Sequence, residues 1–237
     1  MSLWTKCKIW LLGIIFPPLC LQCRAHLSST RFAMSLCEPC EASIPIYQTF
    51  FCGTCKARLP DNIKTCHQDT PFLLAAATSY QHDGVKNLLW HFKYQKWQRL
   101  QQPLTQLLAR YFRNLRYSFE EYLIIPIPLH PTREKERGFN QAHLLAKNLG
   151  KILSLPLNTT ALIRTQKTHT QKELRDYTAR EQNVAQAFMV TNAEQIKNKN
   201  IILVDDVYTS GATMTAAART LKAAGAKKII GCVIAKT

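Results

Sequence analysis

Residues 201–213 read Ile-Ile-Leu-Val-Asp-Asp-Val-Tyr-Thr-Ser-Gly-Ala-Thr, and no other stretch of the chain says more about its fold. The first four residues are aliphatic and predict a short buried strand. Two adjacent carboxylates and a hydroxyl-rich loop follow. An Ala-rich helix is then predicted from about Met214 to Ala224, with Gly225 as its stop. A second strand at 228–235 completes a βαβ unit, which indicates parallel strands.

The loop after this strand has the chemistry of a phosphate site. It lies at a helix N-terminus, where unpaired N–H groups and the helix dipole attract an anion. Gly211 allows a sharp turn and a close approach of the backbone to a ligand, while Thr209, Ser210 and Thr213 offer hydroxyl donors. The two adjacent carboxylates cannot serve the same phosphate, because like charges repel. They suit sugar hydroxyls or a Mg²⁺ ion that carries a second phosphate, so the expected ligand is a ribose 5-phosphate.

This stretch resembles the phosphoribosyl pyrophosphate (PRPP) signature of type I phosphoribosyltransferases. The resemblance implies that Asp205 and Asp206 are the catalytic pair, which meets the ribose hydroxyls or Mg²⁺. It also implies that the whole run binds PRPP: Val204, Asp205, Asp206, Val207, Tyr208, Thr209, Ser210, Gly211, Ala212 and Thr213. An ordinary strand-to-helix turn of another open α/β sheet is the alternative. The sequence contains neither Gly-x-Gly-x-x-Gly nor Gly-x-x-x-x-Gly-Lys-Ser/Thr, which argues against a dinucleotide-binding fold or a P-loop nucleotide site.

The cysteines indicate a metal-binding N-terminal module. Nine are present, and eight lie before residue 70. Three Cys-x-x-Cys pairs and one further cysteine are predicted ligands of structural zinc in a zinc-ribbon module: Cys20, Cys23, Cys37, Cys40, Cys52, Cys55 and Cys66. Asp69 occupies the position where a cysteine would complete a pair with Cys66. The module could therefore bind one zinc ion, or two if His67 or Asp69 completes the second site. Disulfides are the alternative, but this pattern suits a reducing cytoplasm better.

The formal net charge of +16 resides mainly in the larger, C-terminal part of the chain. Residues 1–70 hold seven Lys/Arg against four Asp/Glu, and the rest holds twenty-four against eleven. Such a field favours polyanions, namely nucleic acid, pyrophosphate compounds or an anionic membrane surface. The apolar run at 9–16 is too short to span a bilayer. It predicts a leading amphipathic helix on the zinc module, with a signal sequence as the alternative.

The pattern divides the chain into two domains, 1–70 with the leading helix and the zinc module, and 71–237. The second comprises a helical cap at 71–121 and a core at 122–237. Hydrophobic periodicity predicts strands at 73–80, 122–129, 162–164 and 188–190, helices at 83–94, 100–115, 141–153 and 176–186, a basic loop at 131–141 and a mobile loop at 166–173. Alternating strands and helices predict an α/β fold with a mainly parallel sheet covered on both faces.

Three blocks of sequence resemble the ComF/GntX family of competence-protein ComF-like proteins. They are the Cys-x-x-Cys module, the PRPP-like signature, and a third block in which Ile127-Pro128-Leu129 and Arg133 are followed by Arg137-Gly138-Phe139-Asn140-Gln141. The resemblance covers most of the chain. It implies a type I phosphoribosyltransferase-like fold with a zinc module, PRPP with Mg²⁺, and a role in natural transformation. The implied partners are incoming single-stranded DNA, DNA-import and recombination proteins, and the cytoplasmic face of the inner membrane.

The resemblance also assigns roles to basic residues. Three side chains are expected to hold pyrophosphate or a nucleic-acid backbone, because guanidinium groups match phosphate geometry: Arg133, Lys135 and Arg137. Lys93 and Lys167 are further candidates for binding the ligand. A solvated surface charge is the alternative for each. Gly138 and Asn140 are expected to shape a turn and cap the following helix.

Three functions of different classes follow from these observations, and the third is a purely structural partner of a membrane DNA-import machine. The first is an enzyme that transfers phosphoribosyl from PRPP to an acceptor, which no sequence motif identifies. The second is a nucleic-acid-binding adaptor of the DNA-import machinery without turnover. Aromatic and basic residues alternate over 93–113, which fits base stacking combined with phosphate contacts. The alternative for that stretch is a pair of amphipathic helices with aromatic core faces.

Overall fold

The computed structural model describes residues 18–28, 30–60, 66–165 and 187–237. Several predictions therefore lie outside the described residues. They are most of the leading helix, the mobile loop at 166–173 that contains Lys167, and the helix at 176–186.

The described residues form nine strands: β1 (Phe50–Cys52), β2 (Arg58–Leu59), β3 (Leu73–Ser79), β4 (Tyr122–Pro126), β5 (Leu162–Arg164), β6 (Phe188–Val190), β7 (Asn200–Val204), β8 (Val207–Tyr208) and β9 (Lys228–Lys236). The main sheet has the order β2-β1-β3-β9-β7-β4, and β8 pairs with β9 after β7 has ended. Strands β3, β9, β7 and β4 are parallel to one another, which confirms the predicted fold class. Strands β5 and β6 form a separate antiparallel pair.

Six α-helices accompany these strands in the described part of the chain: α1 (Glu38–Ala42), α2 (Asp83–Tyr94), α3 (Gln101–Asn114), α4 (Pro131–Arg137), α5 (Gln141–Leu153) and α6 (Ala212–Ala223). Both faces of the central sheet are buried. Ile202 and Val204 belong to the core that contains α2, α3 and α5, whereas Ile201 and Leu203 belong to the core on the side of α6. Successive side chains of a strand point to opposite faces of the sheet. Both faces of β7 meet a core, which explains why residues 201–204 are all aliphatic.

The N-terminal residues extend the main sheet. Strand β1 pairs antiparallel with β3, so that Phe51 lies opposite Leu74. Phe50 is fully buried in the core that contains α2 and α3, and the hydroxyl of Tyr111 on α3 donates to the carbonyl of Thr49 at 2.9 Å. Sheet and core therefore continue across the predicted boundary between residues 70 and 71.

Two local predictions are wrong. The segment predicted as a basic loop contains the seven-residue helix α4, which begins at Pro131, ends at Arg137 and is followed by Gly138, a residue with φ of +83°. Helix α4 buries none of its residues, so hydrophobic periodicity could not indicate it. The strand predicted over 122–129 ends at Pro126. As expected for a strand with prolines, β4 lies at an edge of the sheet.

The aromatic residues at 93–113 differ in their exposure to solvent. Tyr111 and Phe112 are buried in the core, as the alternative for that stretch predicted, whereas Tyr94 is 61% exposed. Within the described residues, none of the helices has the length and apolar character needed to cross a membrane.

Candidate functional site

The acidic pair lies at the carboxyl end of β7, in the middle of the parallel sheet. Its backbone is fixed by β9, because the N–H of Asp205 donates to the carbonyl of Cys232 at 2.9 Å and the N–H of Ile234 donates to the carbonyl of Asp206 at 3.0 Å. The carboxylate of Asp205 accepts from the N–H of Asp206 at 2.8 Å. In open α/β sheets ligands bind at the carboxyl ends of the strands. The acidic pair therefore lies at the end of β7 where the sequence predicted it.

Lys93, at the end of α2, forms an ion pair with Asp206. Its Nζ lies 2.8 Å from Oδ1 of Asp206, and the two side chains are 20% and 9% exposed. Burial alone would lower the pKa of Lys93, but attraction to Asp206 outweighs burial, so the pKa is raised. The structure thus joins Lys93, a candidate ligand-binding residue, directly to the predicted acidic pair.

The carboxyl group of Asp205 has a perturbed acidity. Burial and the adjacent Asp206 raise its pKa to about 7, although Lys93, the N–H of Asp206 and Arg164 act in the opposite direction. A carboxyl group with this pKa changes its charge near neutral pH and would ionise more readily when a cation binds. Perturbed acidity of this kind is common at functional sites.

The segment Thr209–Thr213, hereafter the phosphate loop, leads directly into α6. Gly211 is the N-terminal cap of this helix and has φ of +83°, a conformation that favours glycine. A Cβ atom at Gly211 would also lie 2.1 Å from the hydroxyl oxygen of Tyr208. The glycine is therefore required by both backbone and packing. The first-turn N–H groups of α6 have no partners within the helix, which suits an anion.

Guanidinium groups act electrostatically on Asp205 and on the neighbouring Lys93. The positive charge of Arg137 on α4 acts on Lys93, and Arg137 donates to the side-chain oxygen of Gln141 at 3.1 Å. Burial lowers the pKa of Arg164, with a further contribution from Arg133 and an opposing one from Asp205. Arg137 thus acts on Lys93, the ion-pair partner of Asp206, and Arg133 acts on Arg164, which in turn acts on Asp205. Lys167 lies outside the described residues.

The turn between α4 and α5 behaves as predicted. Gly138 is the left-handed C-terminal cap of α4. The side-chain oxygen of Asn140 accepts from the N–H of His143 at 3.4 Å and so caps α5, while its amide nitrogen donates to the carbonyl of Ile127 at 3.1 Å. Asn140 thereby ties the start of α5 to the chain that leaves β4.

The N-terminal cysteines gather into two groups of four ligand atoms. We call them the Cys20 cluster (Cys20, Cys23, Cys37, Cys40) and the Cys52 cluster (Cys52, Cys55, Cys66, His67), and within each the four atoms lie within 4.8 Å of one another. The Sγ atoms of Cys23 and Cys37 are 3.6 Å apart, and Nδ1 of His67 is 3.6 Å from Sγ of Cys52. Zn–S bonds of about 2.3 Å place tetrahedral ligands roughly 3.8 Å apart. Both donor sets therefore fit zinc, and His67 rather than Asp69 completes the second.

Both clusters begin with the same turn. In residues 20–25 the N–H of Cys20 donates to the carbonyl of Ala25 at 2.8 Å and the N–H of Arg24 donates to the carbonyl of Cys20 at 3.0 Å. The corresponding distances in residues 52–57 are both 2.9 Å. Arg24 and Lys56 have φ of +64° and +62°. We call these turns the Cys20 knuckle (20–25) and the Cys52 knuckle (52–57). Their shared sequence pattern is Cys-x-x-Cys-Arg/Lys-Ala.

Comparison with known proteins agrees with this geometry. A family model described as "Phosphoribosyl transferase domain" matches residues 93–237, which include Lys93, the acidic pair and the phosphate loop. The chain belongs to the phosphoribosyl transferase family. This match begins within α2, so it covers the parallel sheet from β4 onward and leaves the cysteine clusters outside.

Curated relatives match a larger share of the chain than the family model does. "Competence protein F" of Haemophilus influenzae is 28% identical over 218 residues, 89% of this chain and 93% of that protein. "Competence protein ComFC" of Bacillus subtilis is 29% identical over 203 residues, 85% of this chain and 77% of that protein. "DNA utilization protein YhgH" of Shigella flexneri is 26% identical over 229 residues, 90% of this chain and 94% of that protein. These matches confirm the resemblance to the ComF family.

Several residues at the site were not predicted from the sequence. Arg164 ends the short strand β5, and a charged residue that closes an apolar strand was the only signal for it. Lys56 belongs to the Cys52 knuckle, yet its Nζ donates to the carbonyl of Thr209 in the phosphate loop at 2.8 Å. No periodicity or motif indicated that contact, because the two residues are 153 positions apart.

Proposed function

We propose that this protein binds PRPP or a related ribose phosphate together with Mg²⁺, and that it serves in the uptake or use of single-stranded DNA during natural transformation. The first part is supported by the site, and the second by the printed names of relatives that match about nine-tenths of the chain. On this proposal the protein acts in the cytoplasm with DNA-import and recombination proteins.

One observation carries the proposal of ribose phosphate binding. The acidic pair and the phosphate loop lie on consecutive segments at the same end of β7, with the start of α6 beside them. The phosphate loop would hold the 5-phosphate through the N–H groups of α6 and the hydroxyls of Thr209, Ser210 and Thr213. Asp205 would meet the ribose hydroxyls or the magnesium ion, since Mg²⁺ prefers carboxylate oxygens. Arg133, Arg137 and Lys93 supply positive charge for pyrophosphate.

Calorimetric titration with PRPP and Mg²⁺ tests this proposal. We expect wild-type protein to bind PRPP more tightly than ribose 5-phosphate, because only PRPP carries the pyrophosphate that the basic residues would neutralise. In Asp205→Asn the affinity should fall at least about tenfold, the effect of losing one charge-assisted contact. A thermal unfolding curve of the same variant shows whether it is folded. Equal affinity of folded Asp205→Asn and wild type for PRPP would contradict the site assignment.

A second candidate function, binding of single-stranded DNA, is favoured by an exposed aromatic surface. Trp90 and Tyr94 are four residues apart on α2, their rings are 6.2 Å apart, and they are 48% and 61% exposed. The guanidinium of Arg99 lies 4.4 Å from the ring of Trp97 and 4.7 Å from that of Phe32. Phe32, Trp97 and Arg99 line a cavity of about 340 Å³. Aromatic faces with adjacent arginines suit stacked bases and phosphates.

Fluorescence titration with a single-stranded oligonucleotide tests this surface. Tyr94→Ala should weaken binding about tenfold, since stacking on one aromatic ring contributes about 1–3 kcal/mol per base. Binding by wild type should also weaken steeply as salt increases, because phosphate contacts release counterions. Ile152→Ala removes a similarly exposed apolar side chain from α5 and serves as the control. The DNA proposal would be rejected if Tyr94→Ala and Ile152→Ala had equal affinities.

A further inference from the structure

The Cys52 knuckle touches the segment that carries the phosphate loop at two points. The buried hydroxyl of Tyr208, which immediately precedes the loop, donates to the carbonyl of Gly53 at 2.5 Å. Nζ of Lys56 donates to the carbonyl of Thr209 at 2.8 Å, and also to the carbonyl of Thr237 at 3.4 Å. Both contacts join residues more than 150 positions apart, so they exist only in the folded protein.

The surroundings of these contacts leave little freedom. A Cβ atom at Gly53 would lie 2.7 Å from the ring of Phe72 and 2.8 Å from its carbonyl oxygen, so the knuckle sits directly on Phe72. The ring of Phe72 in turn contacts that of Tyr208 edge to face, with centroids 6.2 Å apart. Tyr208 fills the space beneath Gly211, the cap of α6. A continuous set of contacts therefore runs from the knuckle to the start of α6.

The direction of the Lys56 side chain is set by the knuckle itself. The N–H of Lys56 donates to the carbonyl of Cys52 at 2.9 Å, and its φ of +62° is the value that the turn imposes. Cys52 and Cys55, the two cysteines of this turn, contribute ligand atoms to the Cys52 cluster. A change at that cluster would therefore displace both Gly53 and Lys56, the residues that hold the segment of Tyr208 and Thr209.

The Cys20 knuckle provides an internal comparison. It has the same turn, but its contacts go to α2: the side chain of Asn87 donates to the carbonyl of Leu21 at 2.8 Å, and a Cβ atom at Gly84 would lie 2.4 Å from the side-chain oxygen of Gln22. Arg24 occupies the position equivalent to Lys56. The two knuckles thus differ in what they support, α2 in one case and the phosphate loop in the other.

We propose that the Cys52 knuckle positions the phosphate loop, with Lys56 as the positioning residue, and that metal at the Cys52 cluster and ribose phosphate at the loop bind cooperatively. The second half rests on the proposed function. Cooperativity follows because the metal ligands would hold the knuckle in the one arrangement that presents Gly53 and Lys56 to the segment 208–209. Thermodynamic coupling is reciprocal, so each ligand would strengthen the binding of the other by the same factor.

Hydrogen exchange of the backbone amides at 207–213 tests the positioning role without any ligand. Lys56→Met should accelerate exchange in this segment about tenfold, because it removes a hydrogen bond from a charged donor. Arg24→Met, the matched change in the other knuckle, should leave the segment unchanged. In calorimetry with PRPP and Mg²⁺, Lys56→Met should bind about tenfold more weakly than wild type, and Arg24→Met within about twofold of it.

The coupling has its own readout in the zinc-loaded wild-type protein. Saturating PRPP should slow the release of one zinc equivalent to a chelator and leave the other unchanged. Unchanged exchange in Lys56→Met would overturn the positioning role, and equal release of both zinc equivalents with and without bound PRPP would overturn the coupling. If wild type binds no ribose phosphate while Lys56→Met still accelerates exchange, the proposed function and the coupling both fall and the positioning role is supported.

Discussion

Chelation of zinc from the zinc-loaded protein is expected to lower the melting temperature by roughly 10–20 °C, equivalent to about 5 kcal/mol for a chain of this size. In the part of the metal-bearing region that the structure describes, the regular elements are a five-residue helix, α1, and the short strands β1 and β2. Because β1 continues the main sheet and buries Phe50 in its core, loss of the clusters would also loosen the edge of β3. Differential scanning calorimetry with and without chelator measures the effect.

Metal analysis of variants separates the two clusters. Wild type should contain two zinc ions per chain, and His67→Ala about one, because His67 completes the Cys52 cluster. Asp69→Asn changes the neighbouring exposed acidic side chain, which is not among the clustered ligand atoms, and should retain both ions. One zinc ion in wild type, or a melting temperature that does not respond to chelation, would contradict the assignment of two structural sites.

Much of the fold follows from local patterns. The βαβ unit at the C-terminal end was predictable because β7 is aliphatic, the acidic pair follows it, and Gly225 ends the next helix. The helix predicted at 83–94 has those bounds in the structure, because Val85, Leu88, Leu89 and Phe92 form one apolar face that is fully buried. Each of these predictions used residues that are close in sequence, where periodicity and capping act.

The candidate site was only partly predictable, because it is assembled from distant parts of the chain. The acidic pair and the phosphate loop are contiguous and have a recognisable spacing. Lys93 was named as a ligand candidate, but its ion pair with Asp206 depends on how α2 packs beside β7. The contact of Lys56 with Thr209 depends on the N-terminal residues joining the sheet at β3. Helix α4 was missed because a short, wholly polar helix has no buried face.

Replacement of Lys93 by methionine is expected to impair both stability and binding of PRPP. Asp206 is buried and pairs with Lys93 at 2.8 Å, so removal of the lysine leaves a buried carboxylate beside Asp205. Breaking a buried pair in this way costs about 3 kcal/mol. Lys86→Met is the matched control, because Lys86 lies on the same helix and pairs with Asp83 at 3.3 Å, but both side chains are well exposed. Exposed pairs contribute less than about 1 kcal/mol.

The pH dependence identifies the cause of the loss in binding. The positive charge of Lys93 opposes the burial and the repulsion from Asp206 that together raise the pKa of Asp205 to about 7. Without Lys93 this pKa rises further, so the carboxyl group is protonated at pH 7 and meets Mg²⁺ or ribose hydroxyls less well. We expect Lys93→Met to bind PRPP at least about tenfold more weakly than wild type at pH 7. The difference should narrow at pH 9, where Asp205 ionises in both proteins.

The same pKa predicts how stability changes with pH. The pKa of Asp205 in the folded protein, about 7, lies above its ordinary value of 3.8. Between pH 3.8 and pH 7 the folded protein therefore carries a proton on Asp205 that the unfolded chain has lost. Its stabilising contribution is complete below pH 3.8 and is lost as the pH rises through 7. Asp205→Asn removes this pH dependence. Its free energy of unfolding at pH 8 should exceed that of wild type by about 2 kcal/mol, roughly half of the free energy equivalent to the full pKa shift. In Lys93→Met the loss should move to higher pH. Chemical denaturation at pH 5, 7 and 9 measures these differences, and a Lys93→Met profile parallel to wild type would show that Lys93 does not control the charge of Asp205.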